Sequence, residues 1–458
     1  MARGKKNEVT LTPEEKLAQA LVPDWEQPYK VPRNWCWVKL SSLSSLISKG
    51  TTPTGGKTAY VPEGVHFLRV ENINDDGTIS HDNIACVTEE MHTGFLRRSM
   101  LEKRDILVSI AGTLGKTGIV QETDLPLNSN QAVAFIRLKT EAIDERYIKN
   151  VIDNPIAQEL LLGKTKVTSI PNLTLEIIGD CPIPLAPTAE QQRIVDRIEY
   201  LFTKLDEAKE KAQSVLDSFE TRKAAILHKA FTGELIGKDK PEEACLESIV
   251  ETIRIGPFGS ALHKEDYVLN GVPVVNPKHI TGQQIIPEDK VTISYEKAEE
   301  LASYKLKEND IVLGRRGEMG RSAPVAKEQA GWICGTGSMI IRLKQGYDAA
   351  FYSQIIASQP VVQYLEENSV GSTLKNLNEK IVRNLPISNF SLTEQKRTIE
   401  ILNSILLKEQ QAKEAAEAVL EKIDLLKKSI LARAFRGELG TNDPTEESAL
   451  ELLKQVLQ

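Results

Sequence analysis

Two segments of this chain have the residue types to cradle a phosphate: Gly50 with Gly56-Lys57-Thr58, and Gly112-Thr113-Leu114-Gly115-Lys116-Thr117. A nucleotide-binding P-loop places four residues between its first glycine and the Gly-Lys-Ser/Thr, so that backbone amides wrap the anion and the lysine reaches it. The spacers here are five and two residues, which argues against ATP binding. The second string has a counterpart, Gly314-Arg315-Arg316-Gly317-Glu318-Met319-Gly320-Arg321. A Gly-x-x-Gly turn that follows a strand and keeps a basic residue near its end reads as a structural turn with a phosphate-facing side chain, or as a solvated hairpin.

Other chemistry is poorly supplied. The six histidines form no His-Glu-x-x-His and no deaminase-type pattern with Cys-x-x-Cys. Asp75-Asp76 and Glu89-Glu90 lie in polar, turn-like stretches where solvation accounts for them, and there is no Gly-x-Ser-x-Gly elbow. Catalysis by this chain alone is not expected. Five scattered cysteines, Cys36, Cys86, Cys181, Cys245 and Cys334, suggest reduced thiols in a cytoplasm and give no metal spacing. No segment approaches the roughly 20 apolar residues of a membrane span, and no apolar run follows the basic start, so neither membrane nor secretory targeting is expected.

The elements that would position binding residues occur twice. Glu190-Gln191-Gln192-Arg193 returns as Glu394-Gln395-Lys396-Arg397, and Ala230-Phe231-Thr232-Gly233-Glu234-Leu235 as Ala434-Phe435-Arg436-Gly437-Glu438-Leu439. A spacing of about two hundred residues is too long for a solenoid and implies two copies of a domain-plus-helix unit. The 458 residues accommodate two to four domains. A net charge of -7 means that any polyanion contact depends on local basic clusters or on partners.

Short β-branched runs come first in each copy: 67–70, 105–110 and 132–138, then 273–276, 310–314 and 338–343. More helical stretches follow near 144–162 and 349–367, so each globular unit is mixed α+β. The chain divides into an N-terminal helix and extended arm (1–32, with Thr12 as N-cap and Pro13 first in the helix), a first globular domain (33–186), a central helix (187–240), a second domain (241–388), a distal helix (389–440) and a helical tail (441–458). Whether the N-terminal helix lies beside that tail is left open by the sequence.

The central helix carries an apolar heptad seam through Ile194, Ile198, Leu201, Leu205, Ala208, Ala212, Val215, Phe219 and Ile226. The distal helix repeats it through Leu402, Ile405, Ala412, Ala416, Val419, Ile423, Leu426 and Ile430. Matched registers favour the two helices packing on each other as an antiparallel coiled coil, over each packing on its own domain. Forty helical residues would make a rod of roughly 60 Å. The expected architecture is therefore two mixed α/β domains separated by two long helices, with a pseudo-twofold internal repeat.

From residue 35 to about 438 the chain resembles the specificity subunit of type I restriction-modification systems. The first copy carries this in Lys49-Gly50-Thr51-Thr52-Pro53, Phe67-Leu68-Arg69-Val70-Glu71-Asn72-Ile73, Asp105-Ile106-Leu107-Val108 and Ile183-Pro184-Leu185-Ala186-Pro187. The second carries it in Gly256-Pro257-Phe258-Gly259-Ser260-Ala261-Leu262, Asp310-Ile311-Val312 and Leu385-Pro386-Ile387. The resemblance implies that each globular unit is a target recognition domain reading one half of a split sequence in double-stranded DNA, and that the helices set the gap. It also implies docking of two modification (methyltransferase) subunits, which carry S-adenosylmethionine, and of restriction (motor and nuclease) subunits, which use ATP and Mg. No cofactor or metal is expected on this chain. The two copies share few polar loop residues, which implies an asymmetric target. A scaffold protein that uses the coiled coil without reading DNA is the alternative.

Base reading needs hydrogen-bonding side chains on loops that reach a groove. In the first domain the polar loop residues in suitable places are Thr51, Thr52, Lys57, Arg69, Asn72, Lys116, Asn130, Gln131, Lys166, Thr168, Ser169 and Asn172. In the second they are Ser260, His263, Lys264, Asn276, Lys278, His279, Arg315, Arg316, Arg321, Ser372, Thr373, Lys375 and Asn376, with Arg315 and Arg316 the foremost choice for a guanine or a phosphate. Neither domain has an excess of basic over acidic residues. Weak, salt-sensitive DNA binding by the isolated chain and tighter binding with its partners are expected.

Overall fold

The protein is described here by a computed structural model. The described residues are 11–163, 173–238, 241–258, 261–370 and 376–458, and the Lys57 side chain is not among them. Two compact units divide the chain. The first joins Met1–Lys211 to Val419–Gln458, and the second is Ala212–Ala418. Each unit thus contains one globular domain, the start of one long helix and the end of the other.

In the first unit a four-stranded antiparallel sheet has the order Ser44–Lys49, Val133–Leu138, Ile106–Ser109, Thr117–Ile119. A second sheet sets Val65–Leu68 between Ala85–Val87 and Leu127–Ser129, parallel to the latter. The second unit repeats the pattern with Val250–Ile255, Ser338–Leu343, Asp310–Gly314 and Ser322–Pro324. Its smaller sheet likewise holds a parallel pair, Val272–Val275 with Ile333–Cys334. Even the irregularity is shared: the first strand of each larger sheet slips register after its opening residue, at Ser44/Leu46 and at Val250/Thr252.

One buried ion pair fixes the larger sheet of each unit. Arg137 donates from Nε and Nη2 to the two carboxylate oxygens of Asp105 at 2.9 and 2.8 Å, and Arg342 does the same to Asp310 at 2.8 and 2.7 Å. Each aspartate also accepts a backbone N–H, from Glu102 or from Lys307. Burial pushes the Asp105 carboxyl up, and the Arg137 fork and the Glu102 amide oppose that shift. Fork geometry of this kind satisfies a carboxylate that water cannot reach.

The repeated Glu-Gln motif clamps each long helix to the domain before it. Gln191 accepts from the Asp144 N–H at 3.1 Å and donates to the Ala186 carbonyl at 2.8 Å. Gln395 makes the matching bonds to the Asp348 N–H and the Phe390 carbonyl at 2.8 and 2.7 Å. Asp144 and Asp348 then cap the helices Glu145–Asp153 and Ala349–Ile356.

The other repeated motif seats each helix end. Phe435 meets Tyr147 edge-on at 5.3 Å in the core of the first unit, and Phe231 meets Phe351 at 5.8 Å in the core of the second. Gly437 and Gly233 follow with φ of +74° and +87°, the left-handed conformation that terminates a helix and that favours glycine.

Within each unit the helix pieces pair. Lys427 reaches Asp206 at 2.6 Å and lies over the Phe202 ring in the first unit. In the second, Lys413 lies over Phe219 and Arg222 reaches Glu409 at 2.9 Å, so the numbering rises on one helix as it falls on the other. The pairing is antiparallel. Leu392–Ala434 is continuous, whereas the first long helix is interrupted at Ser218, between Thr188–Asp217 and Phe219–Phe231. There the Ser218 hydroxyl donates back to the Ser214 carbonyl at 2.6 Å.

On the first helix Ile194, Ile198 and Phe219 are buried, with Leu201, Leu205, Val215 and Ile226 half-buried. The distal helix departs from a strict heptad. Leu402, Ala416 and Ile423 are buried, but Ala412 is exposed and Val419 and Leu426 are 40% and 48% exposed. Their neighbours Lys413, Leu420 and Lys427 turn inward instead, because 3.6 residues per helical turn carry the buried stripe past a strict 3.5-residue repeat.

Pro13–Ala20 begins with a Thr12–Glu15 capping box, and Lys16 donates to the Leu457 carbonyl at 3.2 Å, at the end of Ala449–Leu457. The N-terminal helix and the tail helix therefore lie side by side in the first unit.

Replacing Arg342 by Met leaves Asp310 buried without its counter-charge. This variant is expected to lose about 3 kcal/mol or more of stability, measurable as a lowered melting transition for the second unit in calorimetry.

Candidate nucleic-acid interface

In both units the loops leaving the strands converge at one place. In the first, Gly50 lies so close to Ser129 and Asn130 that an added Cβ would sit 2.1 Å from the Asn130 carbonyl oxygen. The Thr51 N–H donates to the Ser129 carbonyl and the Asn130 N–H to the Leu68 carbonyl, both at 3.0 Å. In the second unit an added Cβ on Gly256 would sit 1.9 Å from the Gly335 carbonyl oxygen, and the Gly335 N–H donates to the Val275 carbonyl. Only glycine permits such approach of two backbones. The polar residues on these loops, Thr51, Thr52, Arg69, Asn130 and Gln131 in one unit and Asn276 in the other, are brought together by these crossings.

A third loop joins each cluster. The Leu173 N–H donates to the Ile110 carbonyl in the first unit, and the Leu377 N–H to the Arg315 carbonyl in the second. Ile110 and Arg315 therefore occupy the same place, and both are buried. Arg315 is 4% exposed. Its Nε donates to the Leu377 carbonyl at 3.1 Å, and its guanidinium lies 4.9 Å from the centre of the half-exposed Phe258 ring. Burial and the neighbouring Arg316 both depress its pKa. Arg316, next in sequence, is exposed.

Several candidates hold the loops rather than face solvent. Thr51 is buried and its hydroxyl accepts from Arg98 Nε at 3.1 Å. Asn72 is buried and accepts from the Arg69 N–H at 3.0 Å. His279 is buried, and its Nδ1 accepts from the Asn276 N–H at 3.1 Å. Burial lowers the His279 pKa, with Glu288 opposing that shift. Asn130 folds back on the Ala132 N–H, and the Asn376 Oδ1 is buried.

Four basic candidates carry an acidic neighbour: Arg69 with Glu71 at 3.5 Å, Lys116 with Asp75 at 3.1 Å, Lys278 with Glu288 at 2.6 Å, and Arg321 with Glu318. In each pair the acidic partner is exposed, and surface pairs of this kind contribute little to stability. Thr52, Gln131, His263 and Lys264 are exposed. Lys166, Thr168, Ser169, Asn172, Ser260, Ser372, Thr373 and Lys375 lie outside the described residues, as does the Lys57 side chain.

Two contributors were not singled out by sequence. Arg98 supports Thr51, and no motif marks it. Phe258 was visible inside Gly-Pro-Phe-Gly, and its position among residues that force tight turns was the available signal. Among the described residues no group of His, Cys, Asp or Glu is arranged to hold a metal, and no helix is long and apolar enough to cross a membrane.

Two recognition modules of one topology, each bearing the ends of two paired helices, define the class. The type I restriction modification DNA specificity domain matches residues 32–216 and again 242–421, and the chain belongs to that family. It is 28% identical over 221 residues to the EcoBI specificity subunit of Escherichia coli, covering 48% of this chain and 45% of that one. With the E. coli EcoDI subunit the match covers 52% of the relative, so the chain spans about half the length of these curated proteins. The MjaVIII specificity subunit of Methanocaldococcus jannaschii is 24% identical over 90% of this chain and 94% of its own. Among solved structures, the HsdS subunit from Thermoanaerobacter tengcongensis shares the fold, with a TM-score of 0.66 at 18% identity over 90% of this chain and 100% of that one.

Replacing Arg315 and Arg316 together by Ala is expected to weaken target binding by about 1 to 3 kcal/mol and to relax one target position, through the exposed Arg316 and through the loop that the buried Arg315 holds. Affinity and selectivity unchanged in a competition assay would remove both from the interface.

Proposed function

We propose that this chain is the DNA sequence-specificity subunit of a cytoplasmic type I restriction-modification complex. Each unit reads one half of an asymmetric, bipartite duplex target. The paired helices set the gap and dock two modification subunits, whose S-adenosylmethionine supplies the methyl group. Restriction subunits with ATP and Mg complete the assembly. The chain itself positions DNA and catalyses no step.

The observation that carries this reading is the pair of matched loop clusters with different side chains at matched positions. Ala111 stands where the other unit has the exposed Arg316, each next to the buried matched pair Ile110 and Arg315. One scaffold therefore presents two chemically different surfaces, as reading two different half-sites requires. The acidic neighbours of Arg69, Lys116, Lys278 and Arg321 support a division of labour in which the bare chain holds DNA weakly and its partners add the clamp.

The test is base-modification sequencing of cells carrying the modification subunit with and without this gene. A gene-dependent methylated motif of two defined halves around a fixed gap is expected. Exchanging residues 35–184 for those of a relative should replace one half only, and inserting a heptad in both helices should change the gap and neither half. Loss of both halves in the exchange, or an unchanged gap after the insertion, would overturn modular reading or the ruler respectively.

A further inference from the structure

In the first unit the N-terminal arm packs beside the edge strand Cys36–Lys39 through one β-bridge. Leu21 bridges Val38 antiparallel, and the Val22 N–H donates to the Trp37 carbonyl at 3.0 Å. Further along, Trp37 Nε1 donates to the Tyr29 carbonyl at 3.1 Å. The Tyr29 ring stands edge-on to Trp37 at 4.9 Å and faces the Arg436 guanidinium at 5.5 Å, while its hydroxyl engages Asn154. Pro28 and Pro32 bracket this residue, which the chain reaches through a tight turn at Asp24–Glu26. Pro32 packs onto Gly437, the glycine that ends the distal helix.

The second unit has the same framework and, among the described residues, no such arm. Its edge strand Glu242–Cys245 pairs with Pro386–Asn389, as Cys36–Lys39 pairs with Pro182–Leu185. It follows the end of Phe219–Phe231 by way of the short turn Glu234–Ile236, and among the described residues no segment takes the place of residues 21–31. The internal repeat identifies the residues that match the surroundings of Tyr29. Thr232 stands between Phe231 and Gly233 as Arg436 stands between Phe435 and Gly437. Glu243 is second in its strand as Trp37 is in its own. Ser358 opens the second helix of its domain where Asn154 opens the other. All three line one groove of about 610 Å³, with Leu227, Phe231 and Ile387 among its apolar walls.

We propose that this groove, with the outer edge of strand Glu242–Cys245, docks a proline-bounded segment of a partner protein that touches the strand edge and then turns to present a tyrosine. The strand edge would take the segment's backbone by β-addition and the groove its ring, as the chain's own arm is taken in the first unit. The Ser358 hydroxyl would replace the Asn154 amide as the phenol's partner. The occupant's chemistry is read from the arm that fills the matching place, and the inference stands independently of DNA reading.

The experiment uses the full chain and a fluorescently labelled peptide of residues 20–33, followed by anisotropy. The protein's own arm already fills the first site, so saturable one-to-one binding is expected. It should weaken about tenfold or more when the peptide's Tyr29 is Ala, and equally when the protein carries Ala224→Trp, which fills the groove from an exposed helix position. Ala224→Glu serves if the tryptophan variant does not fold. A photo-crosslinker at the tyrosine position should label the second unit near Leu227 or Ile387. No saturation at millimolar peptide, binding indifferent to Ala224, or crosslinks to the first unit would overturn the proposal. Arm-dependent self-association in sedimentation would also overturn it, assigning the groove to a second copy of the chain.

Discussion

Everything in this molecule depends on where the two long helices bury their last turns. Phe231 and Phe435 each sit in the core of a domain other than the one their helix starts from, against Phe351 and Tyr147. A buried aromatic of this size contributes several kcal/mol to the core around it. Neither domain is complete without the far end of a helix that begins in the other repeat. The glutamine clamps at Gln191 and Gln395 fix the opposite ends, so each helix is held at both termini by side chains it cannot release without opening a core.

Within each unit the loop clusters are built for difference. The glycine crossings at Gly50 and Gly256 and the buried forks of Arg137 and Arg342 are the same in both units. They lie below the loops and determine where the loops leave the strands. What the loops carry is free to differ, as Ile110 and Arg315 show. The same backbone place is an apolar plug in one unit, and in the other a guanidinium held between the Leu377 carbonyl and an aromatic face.

Much of this was legible in the sequence, and the exceptions share a cause. The duplication, the Thr12 cap, the mixed domains and the paired helices follow from residues whose effect is local or periodic. The seam on the distal helix does not. Apolar doublets such as Ile405-Leu406 and Leu425-Leu426 fit two adjacent lines equally, and only the partner helix decides that Leu426 stays exposed while Lys427 turns inward. Likewise, an Arg-Arg pair in a glycine turn reads as two solvated charges. That Arg315 is buried is set by Leu377, distant in sequence, which composition cannot reveal. Asn72 and His279 were picked out as polar loop residues, and they cap backbone turns whose geometry emerges only once the strands are in register.

The division of the chain between its two units also bears on how it is made. The second unit is one unbroken stretch, Ala212–Ala418, whereas the first needs Met1–Lys211 to meet Val419–Gln458. On a ribosome, where domains fold as they emerge, the later-encoded unit can close first. The earlier one must wait with Tyr147, Ile194 and Ile198 uncovered until Leu431 and Phe435 arrive. A nested topology of this kind makes contact order unequal within one polypeptide. The segment synthesised first is the last to finish, and for that interval its core face stays open.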